Sequence, residues 1–127
     1  MLDIVLLPGE YAVCRLPAGT VLPHALSSGL SGTDVVTVSW TSDGISVICP
    51  SDRAPEQAVL ETAWRCLRVT APADSTVSLA ALVDPLAEAR VSAVTFSTFD
   101  TDYLLVPAVR LTEGTAALQR AGHRVTG

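Results

Sequence analysis

Two aspartates, Asp100 and Asp102, sit one residue apart in the stretch Ser97-Thr-Phe-Asp-Thr-Asp-Tyr103. In an extended strand, residues two apart share a face. Both carboxylates could then converge on one cation, such as an α-ammonium or a guanidinium, through charge-assisted hydrogen bonds. Ser97 and Thr98 add hydroxyl and backbone donors suited to a carboxylate. The plain alternative is a solvated hairpin tip, where aspartate serves turn chemistry. Asp102 borders the apolar run Tyr103-Leu-Leu-Val106, and an acid beside a buried strand needs a partner. Asp100 fits the tip better. Asp74 and Ser75 form a second polar group. Either can cap a following helix, and a free helix N-terminus also receives carboxylates.

Other chemistry finds little support. His24 and His123 are far apart, with no Cys or acid at metal-ligand spacing. No metal site, cofactor site or catalytic group is expected. Gly29-Leu-Ser-Gly32 lacks the second glycine of a nucleophile elbow, since Thr33 stands there. Cys14, Cys49 and Cys66 are odd in number and lie in apolar runs. They read as buried hydrophobes in a reducing compartment, which implies a cytoplasmic setting.

The totals narrow the class further. The chain has 127 residues, 49% of them hydrophobic, enough for one domain or two small packed units. The net charge is −5, so a nucleic-acid partner is not expected. No apolar run approaches the roughly 18 residues of a membrane span. The first residues, MLDIVLL, carry no basic region, so no signal peptide is expected. Every cation is Arg; the absence of Lys excludes Schiff-base and P-loop lysine chemistry.

The elements that position these residues can be read from periodicity. Residues 64–70 read as a strand and 71–75 as a loop. Leu79, Leu82, Val83 and Leu86 follow at helical spacing. Pro85 lies inside that stripe and should kink or split the helix. Strands are expected over 91–98 and 102–106, joined as a hairpin. A helix starts with Thr112 as N-cap, continues through Ala116, Ala117, Leu118 and Ala121, and ends at Gly122. Residues 123–125 close the chain as a strand. This order is the split βαβ, ferredoxin-like arrangement. The first half fits less well: two short strands (2–7 and 11–16), weak helices near 20–28 and 55–61, and a flexible SSGLSG joint.

The halves also look alike. Tyr11-Ala-Val-Cys-Arg-Leu16 parallels Trp64-Arg-Cys-Leu-Arg-Val69. Residues 35–50 parallel 94–107; aligning Pro50 with Pro107 sets Thr41 beside Thr98 and Asp43 beside Asp100. The expected organisation is two units, 1–62 and 63–127, of α+β class, the first degenerate.

The run EARVSAVTFSTFDTDYLLV (88–106), with LLPGEYAVCRL (6–16), resembles the ACT-domain family. It is similar to small bacterial proteins of two ACT units, to the regulatory half of aspartokinases and to eukaryotic cytosolic arginine sensors. The resemblance implies two ferredoxin-like ACT units in tandem and a non-catalytic sensor role. It implies a free amino acid held where the units meet, by the backbone of Ala71, Asp74 and Ser75 and by Ser97, Thr98, Asp100 and Asp102. A homodimer, and signalling to a further protein partner, would go with it. The alternative is a structural or oligomerisation module with a vestigial pocket. Two departures bear on this. Ala71-Pro72 replaces the family's glycine loop, and Arg90 stands where the family places a helix-ending glycine. If that position needs φ > 0, a non-glycine costs about 1 kcal/mol.

Overall fold

A computed structural model describes residues 2–70 and 79–127. The chain is of α+β class. It divides into two compact units: Met1–Pro8 with Arg65–Gly127, and Gly9–Trp64. The first eight residues therefore go with the later half of the chain, not with the first 62.

The larger unit is built from β1 (Asp3–Leu6), the second half of β5 (Val59–Thr70), α1 (Ala80–Glu88), β6 (Val94–Ser97), β7 (Asp102–Pro107), α2 (Leu111–Arg120) and β8 (Arg124–Thr126). Its strands run β6-β7-β5-β1-β8. The strand–helix–strand–strand–helix–strand order expected from periodicity is present from β5 onward. β1 is an added member: it pairs antiparallel with β5 (Ile4 with Val69) and parallel with β8 (Ile4 with Val125).

One sheet face carries the helices. Ile4, Leu67, Leu104, Leu82, Leu86 and Leu118 are fully buried in one cluster. Each such side chain contributes about 1.5–3 kcal/mol by leaving water. Leu82 and Leu86 are the helical stripe seen in the sequence, so burial explains why α1 forms here. Gly114 on α2 faces Leu86, Val91 and Val106, with room for an added Cβ at ordinary contact distance (3.6–3.8 Å).

Several expectations need correction. Pro85 does not split α1, which runs unbroken to Glu88. Thr112 is not the cap of α2: a 3-10 turn at Ala108–Arg110 leads straight into the helix at Leu111. The last strand begins at Arg124 because the His123 N–H closes α2 on Leu118 O (3.1 Å).

The smaller unit holds β2 (Tyr11–Leu16), β3 (Thr37–Thr41), β4 (Gly44–Pro50) and the first half of β5, in the order β3-β4-β2-β5, all antiparallel. Its core is Ala12, Cys14, Leu16, Leu26, Ile45, Val47 and Cys49. The helices expected near 20–28 and 55–61 are absent as α-helices. The first is a 3-10 turn at His24–Leu26; the second region is a turn running into β5. Val59-Leu60 follows no helical stripe, and the pairing of β5 with β2 decides its state.

Candidate ligand site

The β6–β7 hairpin carries the candidate residues. Ser97 and Asp102 are directly opposed across it, so their side chains lie on the same face. The Ser97 hydroxyl donates to Asp102 Oδ1. Asp102 is half-buried and Tyr103-Leu-Leu-Val106 beyond it is buried. One carboxylate oxygen is thus held by Ser97, and Oδ2 has no hydrogen-bond donor among the described residues.

The tip is tightly closed. The Thr98 N–H donates to Thr101 O (2.9 Å), and the Thr98 hydroxyl faces the same oxygen at 3.4 Å. Asp100 is exposed in the bend, before β7 begins. Strand alternation starts only at Asp102, so it does not set the two carboxylates side by side. Ala71, Asp74 and Ser75 lie outside the described residues.

Phe99 escaped the sequence reading. It is fully exposed at the tip, 102% of its reference area. An aromatic ring among small polar turn residues, with no strand to bury it, was the available signal. Behind the tip, Phe96 stacks on Tyr103 with centroids 5.1 Å apart and planes at 8°.

The other hairpin has the same frame with different contents. The Thr41 hydroxyl donates to Gly44 O (3.0 Å), as Thr98 faces Thr101 O. At the position of the Ser97–Asp102 pair stands Trp40 opposite Ile45. Both hairpins end in a proline, Pro50 or Pro107, followed by a 3-10 turn whose last residue is an arginine. Arg53 donates to Ala25 O (3.0 Å), Ser28 O (2.6 Å) and Gly29 O (3.0 Å). Arg110 donates to Arg90 O (3.3 Å) and Ala89 O (3.4 Å), at the end of α1. The carbonyl-bearing residues Gly29 and Arg90 both have positive φ, 65° and 60°. Frame, clamp and helix end therefore recur in both units; the polar pair occurs in one.

A family model described as ACT domain matches residues 59–120. Residues 59–120, just under half of the chain, are thus similar to an ACT domain. They include the whole β6–β7 hairpin, the Ser97–Asp102 pair and Arg110.

Solved structures agree in fold. A protein from Agobacterium tumefaciens is 28% identical, with a TM-score of 0.86, covering 99% of this chain and 93% of its own. A Vibrio cholerae protein of unknown function, described as a possible transport protein, is 18% identical, with a TM-score of 0.72 over 94% of this chain and 89% of its own. The regulatory subunit of aspartate kinase from Thermus flavus is 12% identical, with a TM-score of 0.60 over 93% of this chain and 95% of its own. No curated protein sequence matches the chain. Among the described residues, no helix is long and apolar enough to cross a membrane.

Proposed function

We propose that this is a non-catalytic regulatory protein that binds a free amino acid at the β6–β7 hairpin of its ACT domain. The observation that carries the reading is Asp102: a half-buried carboxylate, oriented by Ser97, with one oxygen unspent among the described residues. That oxygen suits an α-ammonium or a basic side chain. The Ser97 and Thr98 donors are already used within the hairpin, so the ligand's carboxylate falls to the backbone of 71–75. Binding that favours one arrangement of the protein over another would carry the signal.

We also infer that the whole chain is two ferredoxin-like units in tandem, the first degenerate. The strand order β3-β4-β2-β5 supports this, as do the matching hairpins and arginine clamps. Cross-strand NOEs between β2 and β5 in solution test the order; their absence would remove it.

The test of function is a thermal-shift screen against all twenty amino acids. A ligand at 100 times its Kd adds about 2.7 kcal/mol, which raises Tm by several degrees in a chain of this size. One or two clear hits support the sensor. A flat result favours the second reading, an oligomerisation module with a vestigial pocket. The spent donors of Ser97 and Thr98 are what favour that alternative.

A further inference from the structure

The larger unit packs α1 against α2. In the smaller unit the corresponding stretches are the 3-10 turn at His24–Leu26 and, after a second 3-10 turn at Ser51–Arg53, the turn that leads into β5. This thinner layer leaves a cleft of about 480 Å³ between residues 21–25 and 52–57. Its volume lies within the range of pockets that hold small molecules. Arg53 ties one wall to the other, through the bonds from its guanidinium to Ala25 O, Ser28 O and Gly29 O. The cleft is therefore largely formed before any ligand arrives. Val21, Leu22 and Pro23 make one side apolar, and Ala54 adds to the other. Val21 is 90% exposed, so its apolar surface is free to be covered. Asp52 and Glu56 also line the cleft. Both are exposed, and neither accepts a hydrogen bond or forms an ion pair among the described residues. Arg53 stands between them in sequence, but its guanidinium is spent on the three carbonyls.

We propose that this cleft binds a small organic cation with an apolar body, an alkylamine or alkylguanidine that carries no carboxylate. The two unpartnered acids select the charge. An ammonium or guanidinium donates charge-assisted hydrogen bonds to them, whereas a ligand carboxylate meets like charge. Exposed ion pairs contribute little by themselves. The apolar walls therefore supply most of the affinity, by taking the ligand's hydrocarbon out of water, and the acids supply the discrimination. A metal ion is a poorer occupant: among the described residues no three His, Cys, Asp or Glu side chains come together. The inference does not rest on the amino-acid reading, because it concerns other residues and a ligand with one sign of charge.

Amide NMR titrations of the full chain with hexylamine, hexanol, hexanoate and propylamine test it. Hexylamine at millimolar concentration should shift amides within 21–25 and 52–57 and leave those of the β6–β7 hairpin in place. Hexanol should bind about tenfold more weakly, since it lacks the charge that both acids receive, and hexanoate should not bind. Propylamine, with half the carbon chain, should lose more than tenfold, because each methylene taken out of water counts. Asp52 and Glu56 are exposed, so Asp52→Asn and Glu56→Gln should fold. Each should weaken hexylamine about threefold, the scale of an exposed pair. Asp43→Asn, at an exposed acid in the β3–β4 turn, should leave the affinity unchanged. The absence of shifts in the cleft at millimolar hexylamine overturns the proposal. So does equal binding of hexylamine and hexanoate, or an affinity unchanged when both acids are replaced, since either describes an unselective apolar surface. A loss in Asp43→Asn as large as in Asp52→Asn also overturns it, by assigning the binding to diffuse charge.

Discussion

His123 supplies the hydrogen bond that Pro85 cannot. In a helix the N–H of residue 85 would bond Ala81 O, and proline has no N–H. The His123 Nε2 lies 2.9 Å from Ala81 O, and its Nδ1 accepts from the Leu2 N–H at 3.2 Å. An Nδ1 that accepts leaves the proton on Nε2, so the tautomer follows from the two partners. One buried ring thus joins α1, the segment before β1 and the end of α2.

His123→Ala should therefore destabilise by about 2 kcal/mol, since it strands one donor and one acceptor. Pro85→Ala restores a donor inside the helix, and its benefit should be larger in the His123→Ala background than in the native one. Urea unfolding of the four proteins gives the coupling energy. Additive effects, within about 0.5 kcal/mol, would mean that His123 does not stand in for the missing amide.

Arg90 holds φ at 60° at the end of α1, while its own N–H bonds Ala87 O (3.0 Å) and the Val91 N–H bonds Leu86 O (2.9 Å). Gly122 ends α2 with the same two bonds at φ 96°. The geometry is one that glycine adopts freely and a side chain does not. Arg90→Gly should stabilise by about 1 kcal/mol. Thermal unfolding should show Tm rising by roughly 3–6 °C. An unchanged or lower Tm would show that the arginine side chain contributes more than its backbone strain costs.

The three thiols define an alkaline limit. Burial pushes Cys49 and Cys66 up to about 12, and raises Cys14, whose contact with Cys49 offsets part of the effect. An unfolded thiol titrates near 8.5. Above that pH the unfolded chain loses protons that the folded chain keeps, so stability falls as pH rises from about 8.5 toward 12. Below 8.5 the contribution is fully present. Unfolding free energies measured across this window should decline, and Cys66→Ala should flatten the decline. A slope unaffected by Cys66→Ala would assign the loss to other groups. Iodoacetamide at neutral pH should label the folded chain far more slowly than the urea-unfolded one.

The larger unit was legible where local pattern decides structure. Leu82 and Leu86 announced α1, and the small polar run 97–102 announced the hairpin. β1 was legible as a strand but its partners were not, because the period of a strand names its faces and not its partner; Ile4 could equally have paired within the first half. Pro85 misled for the same reason: its remedy, His123, is remote in sequence. The site was half legible. Asp102 stood out as an acid entering a buried strand, but its register with Ser97 depends on the turn. In the first half, short apolar runs such as Val59-Leu60 suit helix or strand alike, and tertiary pairing chose. The clamp arginines, Arg53 and Arg110, were visible only as equal spacings after Pro50 and Pro107.

Asp102 and Asp100 separate the sensor from a solvated tip. If Asp102 Oδ2 receives the ligand's amino group, Asp102→Ala should weaken binding of the amino acid found by thermal shift at least tenfold, about 1.4 kcal/mol. Asp100 is exposed in the bend, so Asp100→Ala should change the affinity less than twofold. Ser97→Ala removes the hydroxyl that orients the carboxylate without removing its charge, and should fall between the two. Calorimetric titration of the three variants gives the ranking. Equal losses at Asp100 and Asp102 would indicate a diffuse charge effect, which salt screens, and no direct contact. Unchanged affinity in Asp102→Ala would place the ligand away from this hairpin.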